Sequence, residues 1–307
     1  MSEKKIGTPF KIGIGVVLAA LAVFLIWLNT YSLFVYDALI FAVAAAAVFE
    51  MAKALKLLGY SVIKFPVAVL VSAVFFSTLF IAVFLEGNPI LPILLSAVFF
   101  LELLVSFALG GMVYVVKPEI TFKDFLATVF ALVYPFFFLC AGLVLNHTGG
   151  GFLLLLTMII ALGTDAFAYF SGAIGNKIAK GSLKKLIPAV SPKKTVVGSV
   201  GGVAGGMVLT AVYFLLVDFS GGPKIDLGYT MSDVIDTGGG SPLLAYLLIA
   251  FFGSIVSQFG DLFASRIKRE CGIKDFGKLI PGHGGIIDRI DATMFAIAAV
   301  SLITLIF

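Results

Sequence analysis

The chain has 307 residues, of which 61% are hydrophobic and 12% are charged, and its formal net charge is +4. Its mean hydropathy of +1.14 excludes a water-soluble globular protein. Nearly every charged residue lies between long apolar runs. Because backbone polar groups in lipid must be satisfied within the chain, this pattern predicts an all-α, polytopic integral membrane protein.

Nine apolar segments are long enough to cross a membrane as helices. In chain order they are 12–28, 33–51, 66–85, 90–116, 125–145, 152–174, 196–217, 242–264 and 290–307. We expect one transmembrane helical domain over 1–307. Its first part, 1–174, is predicted to be a scaffold, and 175–307 is predicted to be the catalytic portion. The two loops 175–195 and 265–289 hold most of the polar side chains of this second part.

Basic residues are distributed unevenly among the loops that connect these segments. With the N-terminus in the cytoplasm, 20 of the 21 Lys and Arg residues lie on the cytoplasmic side, and only Lys224 lies outside. Cytoplasmic loops of membrane proteins are enriched in Lys and Arg. The asymmetry predicts a cytoplasmic N-terminus, a C-terminus outside, and both polar loops in the cytoplasm, where soluble nucleotides are found. We expect a multi-pass protein of the cell (cytoplasmic) membrane.

Glycines recur at four-residue spacing in the seventh segment, at Gly198, Gly202 and Gly206. Small residues at this spacing let helix backbones approach closely, so we interpret them as packing positions. Gly172-Ala-Ile-Gly175-Asn-Lys177 lacks the spacing of a P-loop, and no dinucleotide-binding fingerprint is present. The sequence therefore does not indicate an ATPase or a Rossmann fold.

Acidic residues inside apolar segments are costly unless they are paired or functional. Asp165 and Asp261 each lie near the predicted cytoplasmic end of a segment, and Asp288 and Asp291 share one face of the last helix. Asp261 and Asp288, approaching from two helices, would form a carboxylate pair able to hold Mg²⁺, which prefers few carboxylates plus water and phosphate oxygens. Glu50, at the end of its segment, is interpreted as a solvated side chain.

Basic residues lie beside these acids. They occur in Ser191-Pro-Lys-Lys-Thr195 and, in the second loop, as Lys268, Arg269, Lys274, His283 and Arg289. Basic loops can simply anchor a protein to anionic headgroups, and this is the favoured interpretation for Lys177, Lys180, Lys184 and Lys185. The second loop differs, because acids are interleaved there and its glycines free the backbone to approach an anion. Carboxylates beside fixed cations indicate phosphoryl or nucleotidyl transfer.

We call residues 265–291 the signature segment. Its runs are Ser265-x-x-Lys268-Arg269, Lys274-Asp275-x-Gly277 and Leu279-x-Pro281-Gly-His283-Gly-Gly285-x-x-Asp288-Arg289-x-Asp291. This pattern resembles the signature of phosphatidate cytidylyltransferases (CDP-diacylglycerol synthases). Three further motifs also fit that family: Ser257-Gln-x-Gly260-Asp261, Asp165-x-x-Ala168-Tyr169-x-x-Gly172 and Ser191-Pro-Lys-Lys-Thr195. The resemblance covers the C-terminal half at these motifs.

The resemblance implies that CTP and phosphatidate react to give CDP-diacylglycerol and pyrophosphate, with Mg²⁺ as cofactor and a second cation left open. It implies Asp261 and Asp288 as metal ligands, and these two with Lys194 and Lys268 as the catalytic residues. The substrate-binding residues implied are Ser191, Lys193, Arg269, Lys274, His283, Gly284, Arg289 and Asp165. The expected partners are both substrates and membrane lipids, without nucleic acid, and a homodimer is left open.

One position departs from the family pattern, which usually has an acid shortly after the Lys-Lys-Thr run and just before a glycine. Val197 precedes Gly198 here, so any role of that acid is missing or supplied elsewhere. Two alternative functions are weighed. One is CTP-dependent activation of another lipid or isoprenoid phosphate, because lipid-tail recognition leaves no motif. The other is a transporter, which is disfavoured because no repeat joins the two halves and the polar residues cluster on one side.

Overall fold

A computed structural model describes residues 32–85, 90–219, 229–235, 241–280 and 284–306, together with residues 20, 24, 28, 29, 88 and 227. Most of the first predicted segment, 12–28, lies outside the described residues, so no statement about it follows from the structure.

The described chain is mainly helical. The first helices are α1 (Leu33–Leu57), α2 (Lys64–Leu85), α3 (Leu91–Val116) and α4 (Phe122–Ala131), followed by a π-helical segment (Leu132–Phe137) and α5 (Phe138–Ile178). A hairpin of β1 (Lys185–Ile187) and β2 (Ser191–Thr195) comes next. The remaining helices are α6 (Val196–Val217), α7 (Met231–Val234), α8 (Pro242–Glu270) and α9 (Ile287–Ile306).

Seven helices of the described residues are long and apolar enough to cross a membrane. One of them, Phe122–Ile178, is 57 residues long and contains both the fifth and the sixth predicted segments. The all-α, polytopic membrane architecture is thereby confirmed. The count of nine segments and the orientation of the termini stay predictions.

The connection predicted between the fifth and sixth segments is a bend inside α5 instead of a loop. Gly149 and Gly150 depart from helical backbone angles, and Gly150 has φ +50°. The polar residues just before the bend are buried against α1. There the side chain of Asn146 donates to Asp37 Oδ1 at 2.8 Å, and His147 Nε2 lies 2.9 Å from Asp37 Oδ2. Because a buried acid on another helix contacts both side chains, the segment does not emerge as an exposed loop.

The predicted packing role of the glycines in α6 is confirmed. A Cβ added at Gly198 would lie 2.8 Å from the carbonyl oxygen of Ala168, and one at Gly202 would lie 2.8 Å from that of Thr164. Backbone atoms cannot move aside cheaply, so only glycine permits this approach of α6 to α5. Asp165, next to Thr164, is thereby held beside the start of α6.

Two boundaries near the polar loops differ from the sequence prediction. Helix α8 continues to Glu270 and α9 begins at Ile287, so the first part of the signature segment is helical. In the last turn of α8, Arg266 pairs with Glu270 at 2.8 Å, an arrangement that supports a helix continuing into water. The basic loop 175–195 holds the β-hairpin, and Thr195 Oγ1 accepts a hydrogen bond from Gly198 N at 3.0 Å, which caps α6.

Candidate active site

A cavity of about 510 Å³ lies where the end of α5, the hairpin, the start of α6 and α8 meet. Its lining includes Asp165, Lys193, Lys194 and Asp261. Lys194 Nζ forms an ion pair with Asp261 Oδ2. Four of the predicted site residues, which come from three separate parts of the sequence, therefore share one cavity.

Gln258 holds α8 against α6 at the wall of this cavity. The hydroxyl of Ser199 donates to Gln258 Oε1 at 2.6 Å, and Gln258 Nε2 donates to the carbonyl oxygen of Ser199 at 3.1 Å. Gln258 is buried and lies less than one helical turn before Asp261. These two reciprocal hydrogen bonds fix the position of α8 along α6, and with it the position of Asp261 relative to Lys194.

A second group of charges lies on the α9 side of α8. Lys268 Nζ donates to Asp288 Oδ1 at 2.9 Å and lies 3.9 Å from Asp291 Oδ2. The other oxygen of Asp288 accepts hydrogen bonds from the backbone N–H groups of Phe276 at 2.7 Å and Gly285 at 2.9 Å. Both carboxylate oxygens of Asp288 thus bind donors of the chain itself, and Asp288 ties the signature segment together.

Asp291 adds a second acid to the group around Lys268, and it is only 8% exposed. Lys268 Nζ, 3.9 Å from Asp291 Oδ2, lies near both Asp288 and Asp291. Buried carboxylates that repel one another need a cation nearby. Lys194 supplies positive charge to Asp261, and Lys268 supplies it to Asp288 and Asp291.

The donor set fits Mg²⁺ in its chemistry, because carboxylate oxygens are the ligands this ion prefers. Within the described ranges, no group of three or more His, Cys, Asp or Glu side chains has the geometry to hold a metal ion. Oxygens of Asp261 and Asp288 instead contact Lys194 and Lys268. Metal binding at these acids would therefore replace lysine contacts.

The remaining predicted residues are less closely grouped. Four of them are not part of the described cavity lining: Ser191, Arg269, Lys274 and Arg289. The two arginines and Lys274 are exposed. Gly284 has φ +90°, and a Cβ there would lie 2.9 Å from Asp288 Oδ2, so the turn requires glycine. His283 lies outside the described residues.

Glu50 is a site-forming residue that the sequence interpretation missed. It is 6% exposed, and its two carboxylate oxygens accept hydrogen bonds from the backbone N–H groups of Ile286 and Ile287, each at 3.0 Å. A Cβ at Gly277 or Gly285 would collide with this carboxylate. The interpretation of Glu50 as solvated is therefore wrong, and no local pattern could reveal a partner 236 positions away.

Lys185 is a second such case. The sequence favoured lipid anchoring for it, but β1 places it in the cavity lining together with Asn176. It lies opposite Thr195 in the hairpin, and pairing with β2 brings it beside Lys193 and Lys194. No pattern in the sequence marked this position, because the pairing of the two short strands is visible only in the structure.

The fold and these contacts define a class of protein: a polytopic helical membrane protein with clustered acids and lysines at one end of its bundle. Comparison with known proteins makes the class specific. The model of the Cytidylyltransferase family matches residues 10–307. The chain belongs to this family.

Several curated relatives are named phosphatidate cytidylyltransferase. The protein from Thermotoga maritima is 34% identical over 186 residues, which cover 61% of each chain. That from Brucella abortus is 40% identical over 153 residues, covering 48% of this chain and 45% of the relative. The protein from Bacillus subtilis is 34% identical over 137 residues, which cover 45% of this chain and 41% of the relative. The matched region thus spans about half the length of these relatives.

Proposed function

We propose that the protein transfers a cytidylyl group from CTP to phosphatidate, giving CDP-diacylglycerol and pyrophosphate. The observation that carries this proposal is the single cavity shared by Asp165, Lys193, Lys194 and Asp261 in a chain of the Cytidylyltransferase family. The names of the relatives support phosphatidate as the lipid substrate.

Lys193 and Lys194, with Lys185 beside them, concentrate positive charge in the cavity. Fixed cations at such a site bind the phosphate oxygens of a triphosphate and offset the repulsion between two anionic substrates. The cavity lies between the end of α5 and the start of α6, and we infer that this end of the bundle is the membrane boundary, where a soluble nucleotide and a membrane lipid can meet. This placement suits a reaction between one water-soluble and one lipid substrate.

In the reaction, an oxygen of the lipid phosphate forms a bond to the α-phosphorus of CTP while the bond to the pyrophosphate oxygen breaks. No strong base is required, because the lipid phosphate is already ionised. The contribution of the chain is to hold the two phosphates in line and to stabilise charge on the transferred group. We assign this role to Lys194, which pairs with Asp261, and to Lys268, which pairs with Asp288.

Asp261 and Asp288 would hold Mg²⁺, with Asp291 next to them. Mg²⁺ at this position would neutralise charge on the pyrophosphate leaving group. A second cation and a homodimer stay predictions. We place the reaction at the cytoplasmic face of the cell membrane, which rests on the loop charges and on the bacterial origin of the relatives.

The test is pyrophosphate release by purified protein in detergent with phosphatidate and CTP, ATP or dCTP, with and without Mg²⁺. We expect release that requires CTP, phosphatidate and Mg²⁺. A parallel reaction with an isoprenoid phosphate distinguishes the alternative lipid substrate. Equal release without any lipid phosphate would refute the proposal.

A further inference from the structure

A groove of about 600 Å³ lies between α1 and α2 and includes the connection that joins them. We call it the α1–α2 groove. Its lining shares no described residue with the cavity of the candidate active site. Glu50, in the same part of α1, is not part of the lining and contacts the start of α9 instead. The groove is therefore a separate feature, to which the proposed function assigns nothing.

The lining of the α1–α2 groove changes from apolar to basic along both helices. Its apolar part consists of Ala45, Val48, Phe49, Ala52, Val67, Ala68 and Val71. Its basic part consists of Lys53, Lys56 and Lys64, with Tyr60 and Ser61 from the connection. Because a short connection joins the end of α1 to the start of α2, the lysines of both helices lie at the same end. The groove thus has one charged end and an apolar body.

The dimensions and the orientation of the groove match a membrane lipid. Residues 45–56 of α1 extend about 17 Å along the helix axis, at about 1.5 Å per residue. One leaflet contributes about 15 Å to the hydrocarbon core of a bilayer. The predicted topology places the lysine end on the cytoplasmic side. A lipid of that leaflet would have its headgroup at the lysines and its chains along the apolar part.

The lysines of the groove lack acidic partners. None of the three forms an ion pair within the part of the chain that the structure describes. Lys53 Nζ lies instead 4.1 Å from the centroid of the Phe49 ring. Lys123, from α4, adds another cation 5.9 Å from the centroid of the Tyr60 ring. The charged end of the groove therefore complements an anion.

Lys64 stands at the first position of α2, where the helix dipole favours a negative charge. Local helix energetics therefore do not explain a lysine at this position. Asp124 contacts the connection, but it is buried, and its two oxygens accept hydrogen bonds from the backbone N–H groups of Ser61 and Thr121. The position of Lys64 is explained if the anion comes from outside the chain.

We propose that the α1–α2 groove binds one anionic glycerophospholipid molecule, with its headgroup phosphate among Lys53, Lys56 and Lys64 and an acyl chain along the apolar lining. General attraction to anionic headgroups accounts for lysines at a membrane boundary. It does not account for three lysines that converge on one groove with an apolar body. The inference goes beyond the proposed function and does not depend on it, since the lipid bound here is not assigned as the substrate.

The test is a lipid titration of the purified full-length chain, stripped of lipid in a neutral detergent. Phosphatidylglycerol and phosphatidylcholine with identical acyl chains are compared. Native mass spectrometry counts the bound lipids, and thermal melting gives the half-saturating concentration. We expect one phosphatidylglycerol per chain, a higher melting temperature, and roughly tenfold or weaker binding of phosphatidylcholine. Glycerol 3-phosphate should give no shift, because it lacks the acyl chains.

The triple variant Lys53→Gln/Lys56→Gln/Lys64→Gln removes the charged end of the groove. We expect its half-saturating concentration of phosphatidylglycerol to rise roughly tenfold or more. The matched control is Lys177→Gln/Lys180→Gln/Lys184→Gln. It removes the same charge from exposed lysines on the same predicted side of the membrane, outside the groove. It should bind phosphatidylglycerol as the wild type does.

Ala68→Phe tests the apolar part and keeps all three lysines. Ala68 is exposed within the groove lining, so a larger side chain fits without disturbing the core. The added ring should take the place of the acyl chain and weaken phosphatidylglycerol binding roughly tenfold. The melting temperature without lipid should stay unchanged.

Four results would overturn the inference. Equal affinity for the two phospholipids, or an equal loss in both triple variants, would show general attraction to headgroups. A shift with glycerol 3-phosphate would show a site for free phosphate. Wild-type binding in Ala68→Phe would place the acyl chain elsewhere. A change of oligomeric state in the groove variants, measured by light scattering, would identify a second copy of the chain as the occupant. None of these measurements uses enzymatic activity, so a failure here leaves the proposed function standing.

Discussion

The carboxylate of Glu50 on α1 accepts a hydrogen bond from the backbone N–H of Ile287, 237 positions later, at 3.0 Å. Its other oxygen accepts from Ile286. These donors lie at the start of α9, where free N–H groups and the helix dipole favour a negative charge. A helix of the predicted scaffold therefore fixes the position of the signature segment.

We expect Glu50→Gln to lower kcat at least tenfold while most of the protein stays folded. The amide oxygen can accept only one of the two hydrogen bonds, and the amide nitrogen would face the other N–H. The unsatisfied N–H costs about 1–3 kcal/mol, which should act locally on the signature segment. Hydrogen–deuterium exchange measures this effect directly, as faster exchange confined to residues 274–290.

Asp37→Asn is the control for Glu50→Gln, because Asp37 is also a buried acid of α1 but contacts Asn146 and His147 near the other end of the helix. It should leave exchange in the signature segment unchanged. Equal exchange of the signature segment in Glu50→Gln and wild type would contradict the positioning role.

Asp261→Asn and Asp288→Asn should both abolish Mg²⁺-dependent transfer, but with different effects on structure. Asp261 contacts Lys194 and, at 3.4 Å, Ser265, so its neutral variant should keep the fold. Asp288 accepts hydrogen bonds from Phe276, Gly285 and Lys268, so an amide there should also loosen the signature segment. Activity assays with limited proteolysis measure both effects, and near-normal turnover in either variant would refute the metal assignment.

Lys194→Ala should raise the KM for CTP roughly tenfold, because it removes one fixed cation from the cavity and leaves Asp261 without its ion-pair partner. Lys177→Ala is the control, since Lys177 is exposed at the end of α5 and is not part of the described cavity lining. Steady-state kinetics at varied CTP compare the two variants. Unchanged kinetics in Lys194→Ala would contradict a role of this lysine in binding CTP.

Gly202→Ala should destabilise the protein and reduce activity, because its Cβ would lie 2.8 Å from the backbone oxygen of Thr164 and would push α6 away from α5. Asp165 would move with α5. Gly111→Ala in α3 is the control, since a Cβ there meets nothing within 4 Å. It should be neutral or stabilising by about 0.5–1 kcal/mol, as alanine favours a helix. Thermal melting of both variants measures the difference, and equal melting temperatures would contradict this packing.

The sequence by itself determined the class of protein and predicted which residue types the candidate site contains. Long apolar runs leave helices as the only way to satisfy the backbone in lipid. The motifs around Lys194, Asp261 and Asp288 carried the resemblance to phosphatidate cytidylyltransferases. These features are legible because each depends on residues that are near one another in the chain.

Only the tertiary structure decided which distant groups meet. Glu50 was interpreted from the sequence as a solvated side chain, yet it caps α9, and the ring of Tyr134 packs against Phe263 on α8 and Phe295 on α9. It also showed that Asp288 is bound by the signature segment itself. Such contacts depend on how the helices pack. In a chain this apolar, several faces of each helix are equally suited to packing. The periodicity of apolar residues therefore does not predict which helix packs against which.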